Sequence, residues 1–334
     1  MKNFKFLKSL KDVKREEWIL LIAITLLFLI CSCEQKDLCY DHAHASNVRI
    51  VFDWQHSPEA NPSSMYICLS PTVQSERTIK REFIGKDGGM VQTMVGVGYS
   101  ALGFNSNIKN MLFRSTDSSL GMEAHLKDAD MIEKIGLPSS QLPRAKDAEA
   151  QRMCMEADSL WSASADEDVY VSVEDNDNGI VRNSTISPLR RFCTYRVRIF
   201  HVENQDKISS SVAGSITVLA GGINLSSGRK TDESVTIPFA VNLKEDNSLE
   251  GIFQCFGNST LKGATNHLVI YTVLQDGTKW CYQYDITKQI CEAPDPFNVE
   301  IVLDKLPVPD KINGNSGFIP GVSGWNVIDI PINM

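Results

Sequence analysis

Residues Phe192 to Val202 read FCTYRVRIFHV. In an extended chain Cys193, Tyr195, Val197 and Ile199 share one face, and Thr194, Arg196 and Arg198 share the other. Alternation at a period of two marks a strand that buries one face and wets the other. The same pattern continues on both sides. Toward the C-terminus come GSITVLA (214–220), 235–241, 251–256, HLVIYTVL (267–274), 279–286 and FNVEIVL (297–303). Gln275-Asp276-Gly277 joins two of these runs, and Asp-Gly supplies the positive φ of a tight hairpin. Toward the N-terminus come VRIVFDW (48–54), MYICL (65–69), 78–84, 90–97, 99–104, 111–114 and VYVSV (169–173), with Asp87-Gly88-Gly89 as another expected hairpin turn. Runs of about five to eight residues, punctuated by Gly, Asn, Asp and Ser, are those of sandwich strands.

One stretch interrupts this pattern. Pro138 and Pro143 punctuate residues 127–165, and Ala145 to Ala157 (AKDAEAQRMCMEA) is the best helix candidate, with a weak apolar stripe. The expected fold is therefore mainly β, with two tandem antiparallel β-sandwich domains at 47–187 and 188–334. A linker rich in Pro, Gly and Asn runs from Pro307 to Gly324, and WNVIDIPI (325–332) follows it. Ile328, Ile330 and Ile332 share one face of that last run, and Trp325 and Val327 share the other. Pro331 removes a backbone donor, which suits the edge of a sheet. Exposed, such a run would aggregate, so it must either close its own sheet or complete a neighbour's.

The N-terminus is of another kind. Lys2, Lys5, Lys8, Lys11, Lys14 and Arg15 precede an apolar run of 13 residues from Ile19 to Cys31. A confident transmembrane helix needs about 20 residues, so a basic start with a short apolar core reads as a secretory signal over residues 1–32. The core ends in Ile30-Cys31-Ser32-Cys33, an aliphatic residue, two small ones and a cysteine. This resembles the lipobox of bacterial lipoproteins, which implies a diacylglycerol on Cys33 and cleavage before it. A plain signal peptide or signal anchor is the alternative. Residues 33–46 would then form a lipidated tether, and removing six basic and three acidic residues takes the net charge from −8 to −11. An acidic surface does not favour anionic headgroups, so membrane attachment falls to the acyl chains.

With 334 residues, 43% of them hydrophobic and 22% charged, the composition is globular, and it excludes both general disorder and a multi-span membrane protein. The acidic balance gives no nucleic-acid footprint. Seven cysteines follow Cys33, an odd number, and none forms a C-x-x-C. Cys68, Cys193, Cys255 and Cys281 lie in strand-like runs as small hydrophobes, and a Cys281–Cys291 bridge is open. Asp41-His42-Ala43-His44 lacks a third metal ligand at motif spacing, and Glu174 to Thr185 lacks the twelfth-position carboxylate of a calcium loop. Gly314-Asn315-Ser316-Gly317 is not a nucleophile elbow, and Asp166-Glu167-Asp168 reads as a solvated loop. No catalytic residue, cofactor or metal is expected.

Three landmarks carry a family resemblance. Cys33 leads through a short tether into Leu38-Cys39-Tyr40-Asp41-His42 and then VRIVFDW (48–54). Ala157-Asp158-Ser159-Leu160-Trp161 stands before the expected domain crossover. Ser211 to Ser215 and Gly221 to Gly228 follow as a strand with a small-residue turn. In this order they resemble a group of Bacteroidota lipoproteins related to the fimbrillin proteins of type V pili, in particular the anchor subunits. The resemblance implies transthyretin-like sandwiches, an outer-membrane or cell-surface location through Cys33, and partners among pilus subunits by strand addition through 325–332. The alternative is a glycan-binding surface lipoprotein. That needs two or three of Trp54, Trp161, Trp280 and Trp325 exposed together, and core packing is their plainer role.

Overall fold

The computed structural model describes residues 44–74, 76–310 and 324–331. Cys33, the Asp41-His42-Ala43 segment, most of the 307–324 linker and Ile332 lie outside them. The chain is nearly all β, as expected.

Strand β14 (Cys193–Ile199) buries Cys193, Tyr195, Val197 and Ile199 and exposes Arg196. It pairs antiparallel with β18 (Leu249–Cys255) and parallel with β21 (Asn298–Leu303). On its wet face Arg196 reaches Glu250 and Arg198 reaches Glu300, each on a flanking strand. β17 (Ser234–Leu243) links this group to a second one. Its residues 241–243 pair with β18, and its residues 234–240 pair with β15 (Ile208–Ala220). The order continues through β19 (His267–Leu274) and β20 (Lys279–Asp285) to β22 (Trp325–Ile330) at the edge. At the handover Phe239 stacks on Phe253, with centroids 4.6 Å apart. Gly214 and Gly251 lie against the Phe239 ring, where a Cβ on either would collide with it. Tyr195 and Val197 of one group share a core with Ile216, Ile270 and Tyr282 of the other. The two groups thus form the layers of a sandwich. The β19–β20 hairpin forms at Asp276-Gly277, where Gly277 has φ +82° and Asp276 Oδ1 accepts from the Thr278 backbone N–H at 2.9 Å.

Toward the N-terminus, β1 (Ala45–Phe52) lies between antiparallel β4 (Gly88–Met94) and parallel β12 (Arg182–Ile186). Facing it is a sheet in the order β13 (Leu189–Arg190), β11 (Trp161–Ser164), β5 (Tyr99–Asn105), β2 (Ser64–Pro71), β3 (Ile79–Ile84). Val48, Ile50 and Phe52 of β1 pack on Met65, Ile67 and Leu69 of β2 in a core confined to residues 48–186. The largest core is shared more widely, since Leu102, Phe104, Met111 and Leu126 pack with side chains of β14 to β21. Smaller sheets complete the fold: β6 (Met111–Arg114), β7 (Glu123–Leu126) and β16 (Gly222–Asn224) in one, β8 (Met131–Ile132) and β9 (Leu137–Pro138) in another, while β10 (Arg152–Met153) adds to β17.

Three expectations are corrected. The 145–157 segment is not a helix. Ala145 and Ala148 are joined by a turn hydrogen bond, the Ala157 N–H donates to the Gln254 carbonyl, and β10 within the segment pairs parallel with Val235 and Thr236. Gln151 Oε1 accepts from the Val218 backbone N–H and the Thr236 hydroxyl, both at 3.1 Å, so contacts distant in sequence override the helical spacing. Asp87-Gly88-Gly89 is not a hairpin turn. It carries the chain from β3 in one sheet to β4 in the facing sheet. Gly88, at φ +95°, lies under the Ile50 carbonyl, where any Cβ would clash. The 169–173 run makes a single bridge, Val169 to Tyr99, and Val173 begins helix α1 (Val173–Asp177). The Ser172 side chain accepts from the Asp175 backbone N–H at 3.0 Å and caps that helix. Cys281 and Cys291 are both free thiols.

Candidate functional site

The strand singled out at the C-terminus lies against its own sheet. β22 runs parallel to β20, with Trp325 opposite Lys279 and Ile330 opposite Tyr284. Trp325 is 4% exposed and meets Tyr271 edge-to-face at 5.6 Å. The Lys279 ammonium stands 5.8 Å over the indole. Tyr271 is held in turn by hydrogen bonds to the Pro143 carbonyl at 2.9 Å and Ser215 Oγ at 3.1 Å, and burial pushes its hydroxyl pKa up. On the opposite face of β22, Ile328 and Ile330 cover the main core, while Val327 is exposed. The period-two reading of this run is therefore met for Ile328 and Ile330, but Trp325 and Val327 differ in burial. Among the described residues the outer edge of β22 has no partner strand.

The other residues marked in the sequence are mostly structural. Asp158 accepts from the backbone N–H groups of Lys109 (2.9 Å) and Asn110 (2.6 Å). Trp161 packs on Phe192 at 5.4 Å. Trp161 and Trp325 are buried, and Trp54 and Trp280 are half-buried and packed against different clusters. These four tryptophans do not form a shared exposed platform. Asp166, Glu167 and Asp168 line an open groove beside β12 with Asp175 and Arg182. Burial pushes the Cys154 and Cys281 thiols up to about 12, so neither is poised as a nucleophile. His125 is buried between Glu123 (2.9 Å) and Glu233 (3.3 Å). Among the described residues no group of three His, Cys, Asp or Glu side chains could hold a metal ion. Also among them, no helix is long and apolar enough to cross a membrane. One cluster escaped the sequence reading, a basic cavity built from Arg190, Arg191 and Lys230. Its sequence signal was the adjacent arginine pair, but the third cation arrives from 39 residues away.

The described residues thus form an all-β arrangement of facing sheets with the last strand at a sheet edge. A Bacteroides ovatus ATCC 8483 protein assigned as an adhesin shares the fold at a TM-score of 0.58 and 19% identity, over 83% of this chain and 98% of that chain. The chain belongs to the family described as Domain of unknown function (DUF5119), whose model matches residues 32–240. Two further likenesses are more distant. The fimbrial anchor protein Mfa2 of Porphyromonas gingivalis has 10% identity over 77% of this chain and 90% of that one, with a TM-score of 0.47. A Bacteroides thetaiotaomicron protein assigned to polysaccharide binding (DUF1812) has 11% identity over 77% of this chain and 90% of that one, with a TM-score of 0.48. No curated protein matches the chain.

Proposed function

We propose that this chain is an outer-membrane lipoprotein, anchored at the cell surface through acyl chains on Cys33, that serves as a structural or anchor subunit of a pilus or adhesive assembly. The observation that carries the reading is the junction at Cys33. The family match begins at Ser32, directly before that cysteine, which supports a mature chain that starts at Cys33. The fold held in common with a protein assigned as an adhesin supports a binding or structural role. Within this proposal the two halves, 47–187 and 188–334, act as tandem sandwiches, and the 325–332 strand is the element offered to a partner. Burial of Trp325 favours self-pairing at rest, and a neighbour's sheet edge would compete with β20 for the strand.

Surface labelling of intact cells, followed by cross-linking in the cell and identification of the joined chains, tests this role. The expected result is labelling without lysis and a cross-link to another β-sandwich subunit. Labelling only after lysis, with no such cross-link, would contradict it.

A further inference from the structure

Arg191 lies in the link between β13 and β14, next to a cavity of about 170 Å³. Its Nε donates to Ser162 Oγ at 3.0 Å and its Nη2 to the Ser226 carbonyl at 3.2 Å. Both acceptors are neutral. Lys230 also lines the cavity, with Nζ donating to the Asn258 carbonyl at 2.8 Å. Arg190 closes the rim, its guanidinium 4.4 Å over the Phe192 ring and 5.9 Å from the Phe297 centroid. None of these three cations forms an ion pair among the described residues, whereas Arg152, Arg182, Arg196 and Arg198 all do. Asp295, the carboxylate whose charge Arg190 and Cys193 feel, turns its oxygens to the Phe297 backbone N–H (2.8 Å) and Asn298 Nδ2 (2.7 Å).

The backbone makes room for these charges. Gly228, at φ +71°, lies so close under Arg191 that a Cβ would collide with Nη1. Gly257, at φ +83°, would place a Cβ 3.0 Å from Lys230 Nζ. Burial depresses the Arg191 pKa, as for a cation partly withdrawn from water. Like charges gathered in a partly dry cavity repel each other, and an unpaired charge out of water is costly. An arginine fork matches the two oxygens of a carboxylate or sulfate, and Lys230 adds a point charge. Phe297, 46% exposed at the mouth, offers an apolar face to a carbon skeleton. Drug-sized ligands need roughly 300–1,000 Å³, so only a smaller group fits here.

We infer that this cavity binds a small oxyanion, a carboxylate or sulfate group, between Arg191 and Lys230, with Phe297 as the wall for whatever carries it. The site is independent of whether the chain belongs in a pilus.

The full chain, solubilised in detergent, is titrated with sodium sulfate, sodium glucuronate and glucose at constant ionic strength. Calorimetry gives affinity and stoichiometry, and nitrogen NMR of the arginine side chains gives location. The expected result is saturable one-to-one binding of an anion that shifts the Arg191 Nε resonance, with no binding of glucose. Arg191→Gln and Lys230→Gln should each weaken it by roughly tenfold or more, the scale of one lost charge-assisted hydrogen bond. Equal affinity for both anions assigns the site to a free oxyanion, and tighter glucuronate assigns it to an acidic sugar resting on Phe297. If a variant does not fold, the Arg191 resonance of the wild-type protein decides. No saturable binding of either anion, glucose binding as well as glucuronate, or binding that leaves Arg191 unmoved would overturn the inference.

Discussion

Asp175 shows how one residue ties a helix turn to a sheet edge. It sits in the first turn of α1 and takes a forked pair of hydrogen bonds from Arg182 of β12, at 2.9 and 2.7 Å. Arg182, then Ser172, hold its carboxyl below the usual aspartate range. A carboxylate with a depressed folded pKa contributes stability that is fully present above its unfolded value, about 3.9, and is lost as pH falls through the folded value. Thermal melts of the wild type and Asp175→Asn should therefore differ by a constant interval from neutral pH down to about pH 5, with the interval narrowing as pH falls below the unfolded value. An interval as wide at pH 2 as at pH 7 would show that the Arg182 pair is not its source. This turn was legible in part. Ser172 and Asp175 stand at the spacing of a helix cap, although the apolar alternation of 169–173 reads as a strand.

At the scale of elements, β22 is held by one large anchor. Trp325→Ala should cost about 3–5 kcal/mol of stability, the range for a buried aromatic truncated to alanine. Denaturant unfolding with an unchanged m-value measures it. Removing residues 324–334 should expose the β20 edge and give an unstable, self-associating protein. A soluble, well-folded monomer that has lost its partner would instead assign the strand to donation, and a folded monomer with unchanged stability and association would remove both roles. The legibility of elements followed the range of their contacts. Residues 193–199 carry their alternation locally, and 267–274 is a short apolar run closed by a hairpin signal, so their strands were readable. β11, β12 and β16 span three to five residues without clean alternation, and partners far along the chain make them strands. The same holds for β10, which β17 recruits out of a segment with helical spacing. At Gly88 the local sequence shows that the chain turns, but not the sheet to which it leads.

At the scale of the whole molecule, the proposed division near residue 187 meets a shared core. A fragment of residues 188–334 keeps β14 through β22 but loses the cover supplied by Leu102, Phe104, Met111 and Leu126. It should give a β-rich circular dichroism spectrum and a cooperative melt at a lower temperature than the full chain. A fragment with no cooperative melt would show that the 188–334 half does not fold without that cover. The β class was legible because alternation repeats along the chain, whereas the basic cavity was not, since Arg191, Lys230 and Phe297 converge only when the chain folds. In the proposed role, where the molecule is held rests on one side chain, Cys33. Metabolic labelling with palmitate, followed by membrane fractionation of the wild-type and Cys33→Ser proteins, tests this directly. The expected result is a labelled wild-type protein in the outer-membrane fraction and an unlabelled Cys33→Ser protein released from it. A wild-type protein without lipid label, alongside a Cys33→Ser protein still bound to the membrane, would contradict the lipoprotein assignment and the surface role built on it.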